Sequence, residues 1–215
     1  NIRGDMGQAE QMYQRAIDAD PTNANILGAY ATFLHTVRGD MDQAEQMYQQ
    51  AITADPTNAN ILGAYATFLH IVRRDMGQAE QMYQRAITAD PHHANILASY
   101  ADFLHTVRGD TDQAQQMYQR AIDADPTNAN ILGAYATFLH TVRGDMDQAE
   151  QMYQQAITAD PTNANILGAY ATFLHIVRRD MGQAEQMYQR AITADPHHAN
   201  ILASYADFLH TVRGD

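Results

Sequence analysis

The sequence predicts an all-α solenoid of six helix-turn-helix repeats, about twelve helices in total. Three observations carry this. Pro21, Pro56, Pro91, Pro126, Pro161 and Pro196 stand 35 residues apart, and a period of that length marks a stacked repeat architecture. Apolar residues recur at helical spacing on both sides of each proline. No stretch alternates apolar and polar residues with period 2, so strands have no support.

The repeats run 5–39, 40–74, 75–109, 110–144, 145–179 and 180–214, one solenoid over 1–215. A second period of 105 lies above the first, giving super-repeats 5–109 and 110–214. Residues 40–109 and 145–214 are identical, and repeat 1 differs from repeat 4 only at Met6/Thr111, Gly7/Asp112 and Glu10/Gln115. Such identity points to recent duplication or to a synthetic gene.

Unit 40–74 shows how each element arises. Asp40 precedes Gln43 by three residues, and Asp-x-x-Gln recurs in every repeat. This is a capping box, in which the carboxylate accepts from first-turn amides. Ala44, Met47, Tyr48, Ala51 and Ile52 then form one apolar stripe. Pro56 ends the helix, because it restricts Asp55 and breaks the amide ladder. Thr57 or Asn58 caps a second helix. Its apolar residues form two adjoining stripes, Leu62-Tyr65-Ala66-Leu69 and Ile61-Phe68-Val72. So wide an apolar arc needs cover from two neighbours. Most repeats close at Arg-Gly, where glycine takes the left-handed cap. Arg74 and Arg179 replace that glycine; a left-handed arginine costs roughly 1 kcal/mol, so these two turns are expected to be slightly strained or differently closed. Each helix is expected to be about 14–15 residues long. A single pair cannot bury both stripes, so stability comes from stacking.

Composition narrows the function. The 215 residues are 46% hydrophobic and 18% charged, with net charge -12 and no lysine. That field repels nucleic-acid phosphate and anionic lipid. Cysteine is absent, which excludes disulfides and thiolate chemistry. There is no signal-peptide pattern and no apolar run approaching ~20 residues, so a cytoplasmic protein is expected. No Ser-His-Asp set, Gly-rich phosphate loop or His-Glu-x-x-His motif occurs. The chain is expected to be no enzyme and to carry no cofactor.

The series Ala44…Tyr48…Ala51…Pro56 resembles the small-aromatic-small-proline positions of the tetratricopeptide (TPR) repeat, and all six units carry it. Leu27, Tyr30, Ala31 and Leu34 resemble the large-large-small-aromatic positions of the family's first helix. The usual TPR has 34 residues; the extra one here lies between Ala31 and Gly39. The segment Tyr30-Ala31-Thr32-Phe33 with Gly39 also resembles half-a-TPR repeats, which usually carry Trp and Glu where Leu27 and Leu34 stand. The resemblance covers 210 residues and implies a right-handed superhelical α-solenoid that binds protein or peptide. Pentatricopeptide repeats share the 35-residue period but need a positive groove to read RNA.

In TPR proteins the first helix of each unit lines the concave groove. By position, that groove would show Gly28 and its equivalents together with three ladders. They are Asn25, Asn60, Asn95, Asn130, Asn165 and Asn200; Thr32, Thr67, Asp102, Thr137, Thr172 and Asp207; and His35, His70, His105, His140, His175 and His210. A peptide-binding groove with asparagine amides on an extended backbone is one reading. Solvated polar residues copied with the unit are the other. Carboxylate-capturing TPR grooves use lysine and arginine, so that subtype is not expected. No metal site is expected, since stacked helices lie about 10 Å apart, too far for neighbouring histidines to share an ion.

At the ends, Asn1-Ile2-Arg3-Gly4 aligns with Thr36-Val37-Arg38-Gly39. A helix over 5–19 therefore opens the chain and one over 199–213 closes it, each without its partner. The stripes Ala9-Met12-Tyr13-Ala16-Ile17 and Leu202-Tyr205-Leu209 would be partly bare. They are two halves of one interior junction, so head-to-tail self-association is expected. An amplified or engineered array with assembly as its main property is the companion to the peptide-binding reading. Charging all ten histidines would move the net charge from -12 to about -2, lowering solubility toward pH 5.

Overall fold

The computed structural model describes the backbone of residues 2–213 and the side chains of residues 7–212. Among these residues the chain forms twelve helices and no strand. The odd-numbered helices are α1 (Ile2–Ala19), α3 (Met41–Ala54), α5 (Met76–Ala89), α7 (Thr111–Ala124), α9 (Met146–Ala159) and α11 (Met181–Ala194). The even-numbered ones are α2 (Ala24–Phe33), α4 (Ala59–Phe68), α6 (Ala94–Phe103), α8 (Ala129–Phe138), α10 (Ala164–Phe173) and α12 (Ala199–Arg213). The chain divides into two compact units, Asn1–Gly109 and Asp110–Asp215. The boundary falls where the 105-residue super-repeat turns over.

The helices start where the sequence places them. The Asp40 carboxylate accepts from the Gln43 N–H at 3.0 Å, and Asp75, Asp110, Asp145 and Asp180 cap in the same way. Asn58, not Thr57, caps α4, accepting from the Ile61 N–H at 3.3 Å. His93 and His198 replace that asparagine, and each ring Nδ1 accepts from the backbone at 3.4 Å. The first helix is an exception. It starts at Ile2 rather than Asp5, and the Asp5 side chain lies outside the described residues. In the other repeats a left-handed glycine or arginine breaks the chain just before this point; in α1 the backbone stays helical across Gly4.

Five even-numbered helices end in a π turn: Leu34–Arg38, Leu69–Arg73, Leu104–Arg108, Leu139–Arg143 and Leu174–Arg178. Here the thirty-fifth residue is absorbed, because the wider i→i+5 turn takes one more residue without leaving amides unpaired. The N–H groups of Gly39 and Asp40 both reach the Leu34 carbonyl. Gly39, Gly109 and Gly144 close the turns with positive φ, and so do Arg74 (60°) and Arg179 (56°). Both arginines thus occupy the left-handed region that costs a residue with a Cβ roughly 1–2 kcal/mol.

The closest pairs join an even-numbered helix to the odd-numbered helix after it: α2 with α3, α4 with α5, α8 with α9, and α10 with α11. The tyrosine of each odd-numbered helix is the keystone. Tyr48 is fully buried. Its ring centroid lies 5.4 Å from Tyr65 and 5.5 Å from Phe68, while its hydroxyl sits 3.0 Å from Thr32 Oγ1. One side chain therefore ties α3 to both even-numbered neighbours. Ala44 and Ala51 are fully buried beside it, small enough for backbones to approach.

Even-numbered helices also touch one another more closely than odd-numbered ones do. Glycine permits this. A Cβ on Gly28 would lie 3.0 Å from Ile61 Cγ1, and one on Gly63 would lie 2.8 Å from Ile96 Cγ1.

Candidate functional site: the even-numbered helix face

Four rows of side chains cross this face. In the first unit they are Asn25, Asn60, Asn95; Ala29, Ala64, Ser99; Thr32, Thr67, Asp102; and Thr36, Ile71, Thr106. The second unit repeats them with Asn130, Asn165, Asn200 and so on. All six asparagines are exposed. The side chains between them are small, so the asparagine amides stand within reach of an extended chain.

The asparagine row is not loose. Asn58 Nδ2 donates to Asn25 Oδ1 at 3.2 Å, and Asn163 to Asn130 at 3.1 Å. Each helix cap thus braces the groove asparagine of the preceding repeat. His93 and His198 do the same to Asn60 and Asn165 at 2.8 Å. Because Nδ1 of each ring already accepts a backbone N–H, Nε2 must carry the proton and donate. The signal for this role is positional: His93 and His198 stand 35 residues after the capping asparagines Asn58 and Asn163. The bonds hold the asparagine carbonyl and leave its amide hydrogens as outward donors.

The threonine row is anchored too. Thr67 Oγ1 lies 3.1 Å from the Gly63 carbonyl and 3.1 Å from the Tyr83 hydroxyl. Burial raises the Tyr83 phenol to about 12; its bond to Thr67 opposes this, and the Asp102 carboxylate adds to it. The hydroxyls of Thr137 and Thr172 lie 3.0 Å from Tyr153 and Tyr188.

The histidine ladder lies differently from the open row that the positions suggested. His35, His70, His105, His140 and His175 are half-buried, and only His210 is exposed. His35 packs 5.5 Å from Phe68 and its Nδ1 lies 3.3 Å from the Tyr48 hydroxyl. His70 meets Phe103 edge-on at 5.2 Å. Burial lowers the pKa of His35, His70 and His140; for His70 the nearby Arg74 adds to this and Asp102 opposes it. These rings are wedges between successive even-numbered helices. Gly28 is likewise buried, against Ile61. His105 Nε2 and Asp102 Oδ1 lie 3.4 Å apart, and among the described residues no three metal-ligating side chains gather.

A hollow of about 210 Å³ opens on this face between α10 and α12, lined by Asn165, Ala169, Thr172, His198, Asn200 and Ser204. Wider hollows of 550–590 Å³ lie elsewhere, between the proline loops and the glutamines of the odd-numbered helices. Those walls are uncharged apart from Arg190, whose guanidinium is bonded to the Pro161 carbonyl.

The end helices form a second candidate surface. Met12 is 52% and Leu202 40% exposed, whereas the interior leucines Leu62 and Leu167 are 0% and 1%. Ala9, Tyr13, Ala16, Ile17, Tyr205 and Leu209 are all partly exposed. Tyr13 packs on Tyr30 and Phe33 of the helix after it, and Tyr205 on Tyr188 of the helix before it. Each thus has one of the two neighbours that an interior residue has.

Stacked antiparallel helices on a tyrosine-alanine core, one face carrying ordered polar rows, define an α-helical repeat protein of the interaction-scaffold class. The family described as TmcB, TPR repeats matches residues 1–57, 73–125 and 111–165. The chain belongs to the tetratricopeptide repeat family. A Sel1 repeat also matches over residues 168–196. No curated protein sequence matches significantly.

Solved structures agree on the fold. PilF of Pseudomonas aeruginosa is 21% identical, with 95% of this chain and 91% of that one covered and a TM-score of 0.73. Yeast Tom70 is 18% identical, with 94% of this chain but 42% of that one covered and a TM-score of 0.76. YrrB, described as a TPR protein with an unusual peptide-binding site, is 18% identical, with 90% and 97% covered and a TM-score of 0.58. Identities this low establish fold, not function. Among the described residues no helix is long and apolar enough to cross a membrane.

Proposed function

We propose that the chain is a non-catalytic scaffold that holds an extended peptide segment against its even-numbered face. The observation that carries this is the braced asparagine row. Asn25, Asn60, Asn130 and Asn165 each have the carbonyl fixed by a neighbouring cap, so their amide hydrogens are pre-oriented to meet backbone carbonyls. Pre-organised donors lower the ordering cost of binding. The hollow beside Ser204 offers room for main chain without displacing side chains. The peptide-binding TPR relative of the same fold makes the reading reasonable by analogy. Peptide-display selection on the full chain, followed by titration calorimetry on Asn60→Ala and Asn165→Ala, tests it. Selected peptides should bind the double variant at least about tenfold more weakly, the loss of one or two good hydrogen bonds. Unchanged affinity removes the asparagines from the site.

A second reading concerns the 215-residue chain taken alone. α12 of one copy would supply the missing partner of α1 in the next, a head-to-tail contact that need not close. The contrast in exposure between Leu202 and Leu167 favours it. Sedimentation velocity should show mass rising with concentration, and Leu202→Glu should abolish the rise. A monomer at every concentration ends this reading.

A further inference from the structure

Two departures from the repeat meet on the even-numbered face. Ile71 and Ile176 stand where Thr36, Thr106, Thr141 and Thr211 stand in the other repeats. They are the most exposed large hydrophobic residues described, at 58% and 64%. Asp102 and Asp207 stand where Thr32, Thr67, Thr137 and Thr172 stand elsewhere, and both are exposed.

The rings beside these positions meet. His70, next to Ile71, lies edge-on 5.2 Å from Phe103, next to Asp102; His175, next to Ile176, lies 5.1 Å from Phe208, next to Asp207. Tyr83 is bonded to Thr67, one turn before Ile71, and Tyr188 to Thr172, one turn before Ile176; Asp102 and Asp207 each help to raise the pKa of these phenols. An apolar position and a carboxylate position therefore stand at one crossing of two successive helices, once per unit.

Asp102 stands 3.4 Å from His105 Nε2, while the nearby arginines lie off this spot. Arg73 and Arg178 turn away to Asp42 and Glu45, and to Asp147 and Glu150, at 2.6–2.7 Å. Arg74, near His70, sits at the closing turn three residues beyond Ile71. Its charge favours a partner whose cation lies on the aspartate side. The chain's net charge of -12 adds long-range attraction for a cationic partner.

We infer that each unit selects a segment carrying an apolar side chain next to a lysine or arginine. The apolar group covers Ile71 or Ile176, and the cation meets Asp102 or Asp207. This rests on the peptide-holding reading above and names the chemistry of the peptide. A random dodecapeptide display library, selected on the full chain, is the probe. Enriched peptides should pair a lysine or arginine with an apolar residue one to three positions away.

The variants Asp102→Thr with Asp207→Thr, and Ile71→Thr with Ile176→Thr, install the residue other repeats already carry, so each folds. Each pair should weaken the best selected peptide at least tenfold in fluorescence anisotropy. Raising salt should weaken binding to the parent more steeply than binding to the aspartate variant. Enriched peptides without a cation, or full affinity in the aspartate variant, would overturn the inference while leaving a peptide site in place. Failure to enrich any peptide would count against the peptide-holding reading itself.

Discussion

Residues 94–108 and 199–213 have the same sequence, Ala-Asn-Ile-Leu through Thr-Val-Arg, yet they fold differently. The first copy is α-helical to Phe103 and then turns through a π segment over Leu104–Arg108. The second stays α-helical to Arg213. Leu97 is fully buried, whereas Leu202 is 40% exposed. The π turn is thus not a property of the fifteen residues. Within each unit such turns pack against the helix that follows, as Leu34–Arg38 does on α3 and Leu139–Arg143 on α9, with Leu34 and Leu139 buried. The other end tells the same story. Gly39 breaks the chain before α3, whereas α1 runs straight through Gly4. The repeat's boundaries are drawn by its neighbours.

The largest expected break in this comparison comes from the tyrosine keystone. Tyr153→Ala removes a fully buried ring and should cost about 3–5 kcal/mol, the usual loss for a buried aromatic. Tyr13→Ala, with one of its two neighbours present, should cost less than half as much. Urea unfolding followed by circular dichroism compares them, and equal losses would show that both neighbours do not matter.

Next comes glycine. Gly63→Ala drives a methyl to 2.8 Å from Ile96 and should destabilise by about 1–3 kcal/mol through overpacking. Gly7→Ala in α1 meets nothing within 4 Å and should stabilise by about 0.5–1 kcal/mol, the helix preference for alanine. The opposite signs in thermal melts sharpen the contrast between a packed and an open helix.

Smaller still, Arg74→Gly with Arg179→Gly should raise stability by about 1 kcal/mol per site, because glycine bears the positive φ without strain. Gly39→Arg should lower it by a similar amount. A neutral outcome in both melts would mean that the arginine contacts offset the strain.

The gentlest probe is pH. Burial lowers the folded-state pKa of His35, His70 and His140, so the unfolded chain binds their protons first. Stability is full above pH 6.5 and declines from there as pH falls toward the folded values. The tyrosines act in the opposite direction. The folded pKa of Tyr83 is raised from 10 to about 12, so its contribution is present below pH 10 and fades as pH climbs through 12. Melting temperatures from pH 5 to 11 should form a plateau with both shoulders. The half-buried rings also revise the solubility expectation: these three histidines gain charge at lower pH than free ones, so the approach to neutrality is delayed.

Much of the fold was legible in the sequence because it rests on local chemistry. The Asp-x-x-Gln caps, the proline stops and the Ala-Met-Tyr-Ala-Ile stripe depend on a residue and its near neighbours, and they sit where the spacing placed them. At Arg74 and Arg179 the sequence left a strained or a differently closed turn open, and the structure takes the strained, left-handed one. The candidate face was legible as positions but not as chemistry. Position alone left the asparagines either peptide-binding or merely solvated, and the structure braces Asn25, Asn60, Asn130 and Asn165 by the next cap; it wedges His35, His70, His140 and His175 against phenylalanine. Both facts depend on contacts about 35 residues away, which periodicity marks without describing.

The sequence by itself determined twelve helices, their caps, their turns and the stripes that must be covered, because these follow from backbone sterics and side-chain periodicity. Only the tertiary structure decided where the extra residue becomes a π turn, which rings lose water and which isoleucine meets which carboxylate. Those outcomes are set by what each helix packs against, and identical residues with and without a neighbour reach different answers.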